Sequence, residues 1–320
     1  MILKRSGAVA TVFLQCGRKK RLNMKTDIFS SVCIQIILSL FLVSCGNSGR
    51  GLSVVPSPAS VELGTGVFTF DHDTVISVED EQQLDVAEWF SWLFAKPAGF
   101  VPKVFVGAEN ADIVLRNDPH LAPEAYRIKA DRRNIIVEAS SRAGFLYAFQ
   151  TLRQTLPSSI NSASHADGMV WNIPAMEVSD RPRYSHRCLK MDVTGGVIPV
   201  DELMLFVDYM SILKLNHLHF QGYALYDSEE FADFVDYAAT LNVNVVLNDG
   251  KAEELYSCPK DIVSRVYENI AELAEVAWSD KDVIDRMSFN EAVDAMELYI
   301  CQKGLGLSSR VYDIGLSMLR

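Results

Sequence analysis

The chain is poor in cysteine, has no glycine-rich phosphate loop, no excess of positive charge and no apolar run long enough to span a bilayer as a helix. Of its six cysteines only Cys188, Cys258 and Cys301 lie beyond Cys45, an odd number with no C-x-x-C or other metal-ligand spacing. Neither a disulfide framework nor a metal site is therefore expected, and Cys188, inside an apolar run, reads as a small buried hydrophobe. Thr194-Gly195-Gly196 leads into Val-Ile-Pro and not into a G-x-G-x-x-G turn, which disfavours a nucleotide-binding fold, and no cofactor is expected. The formal net charge of −11 argues against nucleic-acid binding.

What is present is a globular composition, 49% apolar and 10% aromatic over 320 residues, enough for one to three domains with a sizeable core. Residues 1–44 hold seven Lys/Arg and one Asp. Within them Met24-Lys25 opens an export signal, the apolar run Ile28 to Val43 is of signal-peptide and not membrane-spanning length, and residues 1–23 read as upstream sequence from an early start codon. Leu42-Val43-Ser44-Cys45 resembles the bacterial lipoprotein cleavage box. That resemblance implies lipidation of Cys45 and a membrane-tethered, periplasm-facing protein, on the outer membrane of a Gram-negative cell.

Residues 45–51 form a linker, and a first domain is expected over 52–160. Val67 to Phe70, Thr74 to Val78, Val104 to Val106, Asp112 to Leu115, Tyr126 to Ala130 and Asn134 to Ala139 read as strands, the last two joined in a hairpin by Asp131-Arg132-Arg133. Leu84 to Ala95 is a helix ended by Pro97 and Gly99, and Ser141 to Leu156 is a helix with Phe145, Phe149, Leu152 and Leu156 inward. This is an α+β sandwich, in which Trp89 and Trp92 are expected in the core.

From Arg187 onward strands and helices alternate: Arg187 to Val193, a helix opened by Pro199, Asp201 and Glu202, Leu215 to Phe220, a helix striped by Phe231, Phe234, Val235, Ala238 and Leu241, and Val243 to Leu247. Even alternation implies a parallel sheet, as at the start of a barrel or a doubly wound fold. Helices are expected at 261–277 and 288–303, with no convincing strand after Gly250. The fold class is thus α/β, an α+β sandwich followed over 170–320 by a partial (β/α) barrel of about three strand–helix units with C-terminal helices.

The run Ile173-Pro-Ala-Met-Glu-Val-Ser-Asp180-Arg-Pro-Arg-Tyr-Ser-His-Arg187-Cys-Leu-Lys-Met-Asp192-Val resembles the opening of the catalytic barrel in glycoside hydrolase family 20, the β-N-acetylhexosaminidases. Lys214-Leu-Asn, His219 and Leu273-Ala-Glu-Val-Ala-Trp278 extend the likeness, and Ala143-Gly144-Phe-Leu-Tyr147-Ala-Phe-Gln150-Thr151-Leu152 resembles the helix that closes the family's small supporting domain. The resemblance implies action on terminal N-acetylhexosamine residues of glycans, by a mechanism in which the substrate's acetamido carbonyl attacks while an aspartate orients it and a glutamate protonates the leaving oxygen. It also implies that Arg187 and His219 contact the sugar, beside the alternative that Arg187 makes a surface or interdomain ion pair.

The departures are large. Where the family has H-W-H-L-T-D-D-Q this chain has His219-Phe-Gln-Gly-Tyr-Ala-Leu, and the H-x-G-x-D-E segment with the acid and its partner is absent. Asp249, after the third strand, is the best-placed carboxylate, beside the alternative of an Asp-Gly turn. His217 and His219 are expected to face opposite sides of their strand, leaving at most one for a pocket. From Asp180 to Arg320 there are 141 residues, against roughly 250 for a full eight-unit barrel. The expected function is that of a truncated, inactive hexosaminidase-like protein, the alternative being a non-catalytic lipoprotein that binds carbohydrate or a partner, or a degraded gene product.

Overall fold

The computed structural model describes residues 52–192, 198–221, 229–248, 256–257, 266–280, 282–285, 287–294 and 314–319. Cys45 and Asp249 lie outside them, as do Cys258 and Cys301. Among the described residues no helix is long and apolar enough to cross a membrane.

The first sheet is built from β1 (Ser60–Thr69), β2 (Val75–Val78), β3 (Lys103–Val106), β4 (Ile113–Asn117), β5 (Tyr126–Ala130), β6 (Ile135–Ala139) and β7 (Asn172–Asp180). Their order is β1-β7-β5-β6-β4-β2-β3. Pairing is antiparallel from β1 through β6 and parallel from β6 through β3. β5 reads buried-exposed in strict alternation, so Tyr126, Ile128 and Ala130 face the core while Arg127 and Lys129 face water. The hairpin expected between β5 and β6 forms, its turn held by the Asp131 carboxylate accepting from the backbone N–H groups of Arg133 and Asn134 at 2.6 and 2.9 Å.

Helices α1 (Leu84–Trp92) and α2 (Arg142–Thr155) cover this sheet. Ser141 caps α2, its hydroxyl accepting from Gly144 N at 3.2 Å. Phe90 stacks on Phe149 with ring centroids 4.4 Å apart, and Phe68, Phe70, Phe94 and Trp171 complete an aromatic core. Each such side chain contributes about 1.5–3 kcal/mol through burial. Trp89 packs against this core, but Trp92 is 66% exposed, a correction to its expected place inside. It sits at the last position of α1, past the stripe of Val86, Ala87 and Phe90 that faces the sheet.

The second sheet contains β8 (His186–Asp192), β9 (His217–Gln221), β10 (Asn244–Asn248), β11 (Tyr256–Ser257) and β12 (Ile314–Leu319), in the order β10-β9-β8-β12-β11. β8, β9 and β10 are parallel, with α3 (Val200–Ile212) and α4 (Glu229–Thr240) in the two crossovers. Leu189, Met191, Leu218 and Phe220 pack with Leu203, Phe206, Val207 and Met210 of α3, Phe231 and Phe234 of α4, and Ile270, Ala271 and Ala274 of α5 (Val266–Trp278). The structure corrects two expectations. β12 is a strand after Gly250, antiparallel to β8, and its short alternation around Gly315 and Ser317 becomes a strand only by pairing with a segment more than 100 residues away. β7, expected within the barrel-like region, is an internal strand of the first sheet, so the change of sheet falls after Asp180.

Candidate functional site

The segments that carry the family resemblance converge on one buried polar seam. Asp180, at the end of β7, receives the Lys214 ammonium on Oδ2 at 2.8 Å, the Tyr126 hydroxyl on the same oxygen at 2.5 Å, and Trp278 Nε1 at 2.9 Å from each oxygen. The backbone N–H groups of Ala59 and Arg181 also donate to Oδ1. Both charged side chains of the pair are fully buried, an arrangement that is tolerable only because every lone pair finds a donor. Burial lowers the Lys214 pKa against the pull of Asp180, and burial, then the Asp180 charge, raises that of Tyr126 well above its ordinary value. Lys214 reaches this position from a left-handed backbone conformation, φ 58°, just beyond α3.

Arg187 lies one step along the seam. Its Nε donates to Lys214 O at 2.7 Å, Nη1 to Glu124 at 3.0 Å and Tyr184 O at 2.7 Å, and Nη2 to Glu124 at 2.8 Å and Tyr147 Oη at 3.1 Å. Its guanidinium also lies 4.9 Å from the Trp278 ring. All five N–H donors are thus used inside the chain, and the side chain is wholly buried. In this geometry Arg187 joins the two sheets; no donor is turned outward toward a sugar.

His219 lies on the opposite face of β8 and β9. The Nδ1 or Nε2 atoms of His186 and His219 and the Cys188 Sγ all lie within 4.8 Å of one another. His217 stands beside them, its ring 3.9 Å from that of His186 and 6.4 Å from that of His219. The expectation that His217 and His219 face opposite sides is corrected, because residues i and i+2 of a strand share a face. Burial, followed by the neighbouring His186 and His219, pushes the His217 pKa down to about 4. Sequence reasoning missed this cluster because its members come from two strands, and their register, Cys188 opposite His217 and Lys190 opposite His219, is a tertiary property.

Residues 51–181 match the family model described as glycosyl hydrolase family 20, domain 2. The chain is β-N-acetylhexosaminidase-like, with its likeness to glycoside hydrolase family 20 covering part of its length. It is 24% identical over 198 residues to a β-hexosaminidase of Porphyromonas gingivalis, covering 58% of this chain and 25% of that protein. To a β-N-acetylhexosaminidase of Cellulomonas fimi it is 30% identical over 174 residues, covering 52% and 34%. A mutant Streptomyces plicatus β-hexosaminidase solved in complex with product GlcNAc superposes with a TM-score of 0.55 at 25% identity, over 61% of this chain and 45% of that one. The chain therefore spans about a quarter to a third of these curated relatives and less than half of the solved protein.

The matched segment contains the whole first sheet and ends at Arg181, beside the carboxylate that organises the seam. The described parallel strands end at Asp192, Gln221 and Asn248. In a strand–helix barrel, chemistry belongs at those ends. The histidine cluster uses the first and third residues of β8 and the third of β9, with His219 two residues before the end of its strand.

Proposed function

We propose that this chain carries a family 20 scaffold whose substrate class is glycans with terminal N-acetylhexosamine, and that the 320-residue chain does not itself hydrolyse them. The substrate class rests on the relatives, among them the Streptomyces plicatus protein with bound GlcNAc. What supports the inactive reading is the ends of the three parallel strands, where, among the described residues, Asp192 is the one carboxylate residue beside Gln221 and Asn248. Substrate-assisted hydrolysis needs one acidic group to orient the acetamide and a second to protonate the leaving oxygen. General acid catalysis alone contributes ~10²–10⁴-fold. Arg187 cannot stand in, since a guanidinium holds its proton at neutral pH. Purified chain incubated with an aryl N-acetyl-β-glucosaminide is expected to release the aryl alcohol no faster than buffer. Turnover above buffer that vanished in Asp249→Asn would overturn this reading.

The same proposal tethers the mature chain to a membrane through lipidated Cys45, facing the periplasm, where it serves as a carbohydrate-binding or interaction module. Its support is the Leu42-Val43-Ser44-Cys45 box. Cys45→Ala is expected to move the protein from the membrane to the soluble fraction; unchanged processing and unchanged membrane association would count against the anchor.

A further inference from the structure

We propose that His186, Cys188 and His219 form a binding site for a borderline-soft divalent cation of the zinc class. The three donor atoms fall within 4.8 Å of one another. Tetrahedral zinc, with Zn–N ~2.0–2.1 Å and Zn–S ~2.3 Å, places its ligands roughly 3.3–3.8 Å apart. Small side-chain rotations close that difference, because His186 and Cys188 are alternate residues of β8 on the same face and His219 reaches across from the adjacent parallel strand. Two imidazoles and a thiolate are a donor set that selects zinc, cobalt or copper over magnesium and calcium, which take oxygen ligands.

The surroundings suit that chemistry. Cys188 is buried and in no disulfide, its thiol 3.3 Å from Leu189 O, and a bound cation favours the thiolate. His217 is the neighbouring wall: its Nδ1 lies 2.8 Å from the Asn216 side-chain oxygen and its ring 3.9 Å from that of His186, which limits how far His186 can turn away. β8 itself is held between β9 and β12, so the ligands stand on a paired strand and not on a loop. The site uses the first and third residues of β8 and the third of β9.

The experiment uses the full chain, stripped with a chelator and titrated with Co²⁺ and then Zn²⁺. One equivalent of Co²⁺ is expected to produce a thiolate-to-cobalt charge-transfer band with tetrahedral d–d absorption, and Zn²⁺ is expected to displace it and raise the melting temperature. Cys188→Ser should abolish the charge-transfer band. Because Cys188 is fully buried, His186→Asn at a half-buried position is the second variant, and it should weaken Zn²⁺ binding by more than ~10–100-fold, the loss seen when only an outer-shell partner is removed. Absence of the band in the unaltered chain, or Co²⁺ and Zn²⁺ binding that survives both substitutions, would overturn the proposal.

Discussion

Arg187 and Glu124 form a bidentate ion pair, 2.8 and 3.0 Å, between the first residues of the second sheet and the loop that leads into β5 of the first. Planar fork meets planar carboxylate, and the remaining donors go to Lys214 O, Tyr184 O and Tyr147 Oη. Arg187→Lys keeps the charge but has a single point of donation, so several acceptors lose their partner. The expected cost is about 2–3 kcal/mol, on the scale of hydrogen bonds to charged groups, read as a lower urea midpoint with an unchanged slope. A variant as stable as the parent would show that the pair is not a joint between the sheets.

The Asp180–Lys214 pair should show the asymmetry of buried charges. Asp180→Ala leaves the Lys214 ammonium, with no exposed side-chain surface, without a counter-charge, and is expected to destabilise by ~3–5 kcal/mol. Adding Lys214→Met should recover part of the loss, since the double variant buries no unpaired charge. Additive losses in this double-mutant cycle would mean that the two side chains do not interact as the seam requires.

Gly144 lies inside α2, where alanine would ordinarily gain up to ~1 kcal/mol in helix propensity. Here a Cβ would sit 2.6 Å from Ala125 O and 2.8 Å from Ala139 Cβ, closer than atoms pack. Overpacking costs ~1–3 kcal/mol, so the clash is expected to win. Gly144→Ala should lower the melting temperature; a raised one would show that α2 can lift from the sheet at little cost.

His217 makes stability depend on acid. Its folded pKa, about 4, is below the ordinary 6.5, so between these values the unfolded chain takes up a proton that the folded chain refuses. Its contribution is therefore present above pH ~6.5 and lost as pH falls toward 4. Urea unfolding of the metal-free chain at pH 7, 5.5 and 4.5 should show the decline, and His217→Gln should flatten it. An equal pH dependence in parent and variant would remove His217 as the cause.

Much of the architecture was legible in local signals. The Asp131 hairpin, the Ser141 cap, the inward stripe Phe145, Phe149 and Leu152, and the Pro199, Asp201, Glu202 opening of α3 are all found where the residues predict them. These depend on contacts within a few residues, and their periodicity is written along the chain. Trp92 shows the limit of that reading: an aromatic at the end of an amphipathic helix falls on either side of the buried face, and here it faces water.

The sequence by itself determined most of the strand and helix segments, though not β7 or β12, together with the acidic character and the likeness to family 20. Tertiary structure alone decided what those segments do to one another. It seated β7 between β1 and β5, paired β12 with β8, turned Arg187 inward to Glu124, gathered Asp180, Lys214 and Trp278 around one carboxylate, and set His219 beside His186 and Cys188. The reason is physical: alternation and capping are local free energies that a short window contains, whereas strand register and the desolvation of a charge depend on which distant segment arrives opposite, and no spacing along the chain records that.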